Sequence, residues 1–160
     1  MRHKRQIKLN EEYTPLPSYE GDEFFPNGIF NFNISRITEH IHDGTLKVEK
    51  ETIDVGSWFE THYHASVNEE HLPTVDVNKP VIQAEVQPGE FNIIDGNHRM
   101  EKAYRDGVTN IQSYKLRGEQ LLPYFMKKQG YTAFVEYWNS KLKEDERNKK
   151  LKENMLSYRE

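Results

Sequence analysis

The chain has 160 residues, no cysteine and a formal net charge of −4. That length fits one domain able to fold without disulfides or a structural metal. The missing cysteine excludes a thiol nucleophile, a Cys-ligated zinc, an iron–sulfur cluster and a disulfide framework.

The N-terminus is basic, with Arg2, Lys4, Arg5 and Lys8, but no apolar run follows, so it does not read as a secretory signal. Nowhere does the chain approach the roughly 20 apolar residues that span a bilayer. A cytoplasmic protein without membrane contact is the expectation. Pro15, Pro17, Pro26, Gly21 and Gly28 break up residues 1–28, which read as an arm lying over the domain, docked by Phe24 and Phe25.

Ile34, Ile37 and Ile41 recur at helical spacing and Gly44 is a natural stop, which predicts a helix over 34–41. Over 56–66, Phe59, Thr61, Tyr63 and Ala65 alternate with Glu60, His62 and His64, which predicts a half-buried strand. On a strand Glu60, His62 and His64 share one face. They are candidate metal ligands, with a plain polar outer face as the alternative. His40 and His42, on a helix, point too far apart to ligate together.

Residues 81–86 and 91–94 are β-rich and flank Gln87-Pro88-Gly89-Glu90, a hairpin signal. After the turn at 95–99, Met100, Ala103 and Tyr104 mark a helix that Gly107 ends. Residues 110–116 read as a further strand. Beyond Gly118, Leu121, Leu122 and Phe125 share a helical face, with Pro123 in a first turn. Gly130 is expected to break the run. Phe134, Trp138 and Leu142 then form a second helix. From 143 to 150 no residue is apolar, and Asp145/Lys149 and Glu146/Lys150 are favourable i, i+4 pairs. This helix is expected to run into solvent, or to meet a partner through Leu151, Met155 and Leu156.

Residues 141–160 hold seven Lys/Arg and five Asp/Glu, so residues 1–140 carry fifteen basic against 21 acidic groups, a net of −6. A body of that sign disfavours a general nucleic-acid surface, which needs clustered cations.

The most informative segment is Asp95-Gly96-Asn97-His98-Arg99. A buried strand delivers the chain to a glycine and straight into a helix, whose first N–H groups are unpaired and carry partial positive charge. Glycine admits a close backbone approach. Arg99 adds a forked cation suited to phosphate or carboxylate, and His98 can exchange a proton near neutral pH. Together they can form an anion pocket. The plainer reading is a β–α connection with Asp95 or Asn97 as N-cap and Arg99 paired to a surface carboxylate.

Strand, hairpin, strand, D-G-N-H-R and a helix together resemble the ParB/sulfiredoxin superfamily, whose members carry a G-x-H-R or D-G-x-H-R signature at this junction. The likeness runs from about Pro80 to Leu116, with a weaker echo at 34–44. It implies an α+β fold: a small mixed sheet with helices over 29–130 and a C-terminal helical extension over 131–160. It also implies a nucleotide pocket. Asp95, Gly96, Asn97, His98 and Arg99 would hold the phosphates of ATP, ADP or CTP with Mg²⁺, and His98 and Arg99 would be the catalytic pair.

The departures narrow that reading. Asn97 stands where sulfiredoxins need cysteine, which removes their chemistry. Glu85 falls where such relatives carry a lysine. Only about 40 residues follow Leu116, too few for the DNA-reading module of the partition proteins. The family's serine kinases use an upstream acid as base, for which Glu20, Asp22 and Glu23 are candidates. The expected function is therefore a nucleotide- or phosphate-binding protein with a small phosphorylated ligand, acting as a phosphotransferase or nucleotide hydrolase. A nucleic-acid-associated protein or nuclease, and a non-catalytic interaction module, are the alternatives.

Overall fold

The computed structural model describes residues 5–26 and 30–157. The basic residues 1–4 and the end of the arm at residue 28 lie outside them.

Val81, Ile82, Gln83, Ala84 and Glu85 are all buried, so this segment must sit between two layers. It is β4 (Val81–Gln87), an interior strand of a four-stranded mixed sheet. The other strands are β3 (Glu49–Asp54), β5 (Glu90–Asp95) and β6 (Asn110–Leu116), in the order β3-β6-β4-β5. β4 and β5 form the expected antiparallel hairpin. α3 (Asn97–Arg105) then returns the chain so that β6 runs parallel to β4. Two short strands, β1 (Phe24–Phe25) and β2 (Phe32–Asn33), pair separately. Phe25 packs on the core as expected, whereas Phe24 is exposed.

Each sheet face carries its own core. On one side Ile53, Val81, Ile93 and Ile111 pack with Met100 and Ala103 of α3 and Val55 of α2 (Val55–Thr61). On the other side Ile82, Ala84, Ile94 and Leu116 meet α1 (Ile34–Asp43), α4 (Gly118–Leu121) and the first half of α5 (Lys128–Ser157). α1 begins with the Asn33 side chain accepting from Arg36 N–H and ends at Gly44 in the left-handed region, as its sequence predicts.

The arm belongs to this second core. Ile7 is buried there, and Asn139 both accepts from Ile7 N–H (2.7 Å) and donates to Ile7 O (2.9 Å). Tyr13 stacks on Tyr131 at 3.9 Å and donates to Phe125 O (3.1 Å).

Two expectations need correction. Residues 55–61 form a helix, not a strand. Asp54 caps it by accepting from Ser57 N–H, and Val55, Trp58 and Phe59 present an i, i+3, i+4 face to the core of Ile53, Val81, Ile93 and Ile111. The strand lies just before, at 49–54, with Ile53 as its single buried residue. Finally, Gly130 does not break a helix. It is buried in the first turn of α5, where the Tyr131 N–H already bonds Lys127 O. Beyond Leu142 that helix runs out exposed, with Leu151, Met155 and Leu156 uncovered among the described residues. No helix among them is long and apolar enough to cross a membrane.

Gly118, at the start of α4, lies under Trp138 of α5. A Cβ there would sit 2.3 Å from Trp138 Cζ3. Gly118→Ala is expected to lower stability by about 1–3 kcal/mol through overpacking, read as a reduced urea midpoint.

Candidate functional site

Asp95 ends β5, and Gly96 turns the chain with φ +97°. A Cβ at Gly96 would lie 2.6 Å from Val81 Cγ1 and 3.0 Å from an Arg99 Nη atom, so both the angle and the space require glycine. Gly96 is itself the N-cap of α3, and no side chain caps that turn. Neither Asp95 nor Asn97 takes the role the plainer reading assigns them. The first turn of α3 therefore has no side-chain cap, and the positive end of an uncapped helix favours an anion.

The five residues of the turn divide between two sides. Arg99 donates from Nη1 to Pro80 O (2.6 Å) and from Nη2 to Asp95 Oδ2 (3.1 Å). These bonds aim the guanidinium and use two of its five N–H groups. His98 points the other way. Its Nε2 accepts from Asn68 N–H (3.0 Å), and its ring meets His71 edge-on at 4.9 Å. That acceptor role places the proton of the neutral ring on Nδ1.

Asp95 and Arg99 form one wall of a cleft of about 710 Å³ between α1 and the sheet. Ile82 and Tyr114 line its floor, and Ser35, Thr38 and His42 of α1 face them. Lys79, Glu23 and the Arg36-paired Glu39 complete its charged lining, and among the described residues the Lys79 and Glu23 side chains have no partner. The sequence gives no hint of Thr38, His42, Lys79 or Tyr114 as site residues. α1 and the sheet bring them together from three separate segments.

Of the three upstream acids, the structure singles out Glu23. Asp22 is spent on structure: it accepts from Tyr19 N–H, Asn33 Nδ2 and both oxygens meet Arg36 Nη2 at 3.1 Å. Glu20 is exposed and does not line the cleft. Glu23 does, and its backbone is held there: its N–H donates to Ser35 Oγ (2.7 Å) and its carbonyl accepts from Ile34 N–H (2.9 Å).

The candidate metal set is not brought together. With 55–61 helical, Glu60, His62 and His64 have no common strand face. His62 stacks on Trp58, and its two ring nitrogens lie 2.8 Å from the carbonyl oxygens of Trp58 and Phe91. His64 stacks on Phe59, and its Nδ1 lies 2.5 Å from Glu101 Oε2. Glu60 is exposed. Among the described residues no group of three metal-ligating side chains converges.

Glu85 also has a structural post. It is buried in β4, where its carboxylate accepts from Gly89 N–H (2.8 Å) in the hairpin turn and from Gly118 N–H (3.0 Å) at the start of α4. On the outer side of α3, residues 62–80 are strapped down by polar bonds. Arg105 binds Glu69 through both Nη atoms (2.6 and 2.9 Å), and Lys102 Nζ donates to Val75 O (3.0 Å).

Glu101 anchors the same strap through His64. Burial pushes its carboxyl up, but hydrogen bonds from His64 and Arg105 outweigh that and hold it below the ordinary 4.5. A lowered folded value contributes stability above pH 4.5 that is lost as the pH falls through that folded value. Glu101→Gln is expected to cost about 1–3 kcal/mol at neutral pH. Its urea midpoint should also fall less steeply than wild type as the pH drops below 4.5.

No family model, no curated protein and no solved structure matches this chain.

Proposed function

We propose that the chain binds the phosphate groups of a nucleotide at the 95–99 turn, with the rest of the ligand in the cleft beside α1. The observation that carries this reading is the uncapped start of α3, set beside an Arg99 whose fork is aimed from the cleft wall. Helix N–H groups and a guanidinium are complementary to phosphate oxygens in charge and geometry. The D-G-N-H-R resemblance to the ParB/sulfiredoxin superfamily points the same way.

The activity we propose is phosphoryl transfer to a hydroxyl or to water. Glu23 takes the proton of the attacking oxygen as that oxygen bonds the terminal phosphorus. The bond from phosphorus to the bridging oxygen breaks, and the nucleoside diphosphate leaves. Mg²⁺ would enter with the phosphates and neutralise part of their charge, and Glu23 and Asp95 are among the oxygen donors the cleft offers it. Arg99 stabilises the charge on the transferred group. His98 serves the site by position, since its ring is held to Asn68 on the far side of the turn.

Thermal denaturation with ATP, ADP and CTP, with and without Mg²⁺, tests the binding. A ligand at 100 times its Kd should stabilise the wild type by about 2.7 kcal/mol. Arg99→Lys keeps the charge but loses the fork, so the variant should fold and lose that gain. Absence of stabilisation of the wild type by all three nucleotides refutes the reading. Glu23→Gln is expected to keep nucleotide binding and lower the rate of phosphoryl transfer on the order of 10²–10⁴-fold.

A further inference from the structure

A second cavity, of about 480 Å³, adjoins the cleft just described and shares Ile41, His42 and Tyr114 with it. The two are thus lobes of one groove running along α1. The lobes differ in charge. The first mixes acids and bases: Glu23, Glu39 and Asp95 against Lys79 and Arg99. The second is lined by two cations, Lys47 and Lys50, and by no carboxylate. Neither lysine side chain has a partner among the described residues. In a chain whose first 140 residues carry a net of −6, such a pocket runs against the overall charge.

The lobe is built from constrained backbone. Gly44 ends α1 at φ +82°, Leu46 N–H bonds His40 O (2.9 Å), and Gln120 Nε2 holds Lys47 O (2.7 Å). Asp43, the acid of this loop, is engaged by Thr45 N–H (2.8 Å). Lys50 is the cross-strand partner of Tyr114, and both line the lobe. Leu46 and Val48 add an apolar wall. The lining therefore offers an apolar surface edged by two free positive charges.

We infer that this lobe binds a small amphipathic anion, with its phosphate or carboxylate head between Lys47 and Lys50 and its apolar body against Tyr114, Leu46 and Val48. Building on the nucleotide reading, this molecule is the co-substrate, seated in the same groove as the phosphates and separated from them by His42. With the nucleotide phosphates in the first lobe, their charge repels a second anionic head and keeps it beside Lys47 and Lys50.

The test is an amide NMR titration of the full chain with two probes, phenyl phosphate and phenylacetate. Either probe should give saturable shifts at the amides of 44–50 and Tyr114, and the tighter one identifies the preferred head group. Lys47→Glu/Lys50→Glu, at two exposed positions that leave the fold intact, should weaken that binding on the order of tenfold or more. Lys47→Arg/Lys50→Arg should retain it, and Arg99→Lys should leave it unchanged. No saturable shift at 44–50 in the wild type, or equal affinity in the double Glu variant, overturns the proposal. If nucleotides fail to stabilise the wild type while the aryl anions still bind at 44–50, the phosphate reading of the 95–99 turn falls and this site stands.

Discussion

The close approach of Gly96 to Val81 is the contact on which the site depends. β4 lies inside the sheet and is buried on both faces, so Val81 cannot move aside. The turn after β5 must pass over it with no side chain of its own. Only glycine satisfies that clearance and the positive φ together. Once the turn is set, α3 must begin at Asn97, and Arg99 falls within reach of Pro80 O and Asp95. The direction of the helix axis and the aim of the guanidinium follow from one packing constraint in the middle of the sheet.

The opposite wall of the cleft has an independent origin. α1 is held at its start by Asn33 and by the Arg36–Asp22 pair, and near its end by His40 Nδ1 against the Tyr124 hydroxyl (2.7 Å). Burial, with the nearby Asp43 charge adding to it, pushes the Tyr124 hydroxyl up to about 12, so it stays protonated and able to donate. These polar bonds hold α1 over the sheet without filling the space beneath Ser35, Thr38 and His42. A groove remains with an apolar floor and charged rims, the usual form of a small-molecule site. The two lobes differ in charge because one is closed by the β5–α3 turn and the other by the loop into β3.

Much of the central unit was legible in the chain because its local signals agree with its tertiary role. The β-rich runs at 81–86 and 91–94 and the breakers between them match the observed hairpin, and the apolar spacing of Met100 and Ala103 matches their burial. The edge strand β3 was not legible. Glu49, Lys50, Glu51 and Thr52 carry no apolar alternation; this strand pairs only with β6 and its outer edge carries charge. Residues 55–61 misled for another reason. The period-2 run from Phe59 to Ala65 straddles the end of a helix and the coil after it. The true signal was Asp54 as cap, followed by Val55, Trp58 and Phe59 at helical spacing. With the helix in place, the histidines turn to Phe91 O and Glu101 and serve as struts.

By itself the sequence determined the turn chemistry. Glycine between a β-rich run and an amphipathic helix, followed by histidine and arginine, specifies a strand-to-helix junction with a cation beside it. It also placed a helix over 34–41, which the structure carries on to Asp43, and the solvent-exposed tail of α5, since each carries its own periodicity or its absence. Tertiary structure alone decided which side of the turn Arg99 and His98 face, that Asp22 pairs with Arg36 while Glu23 lines the cleft, and that Lys47 and Lys50 edge a second lobe. The physical reason is that these properties belong to the space between elements. That space is set by how α1 crosses the sheet, and no local pattern of side chains encodes the crossing.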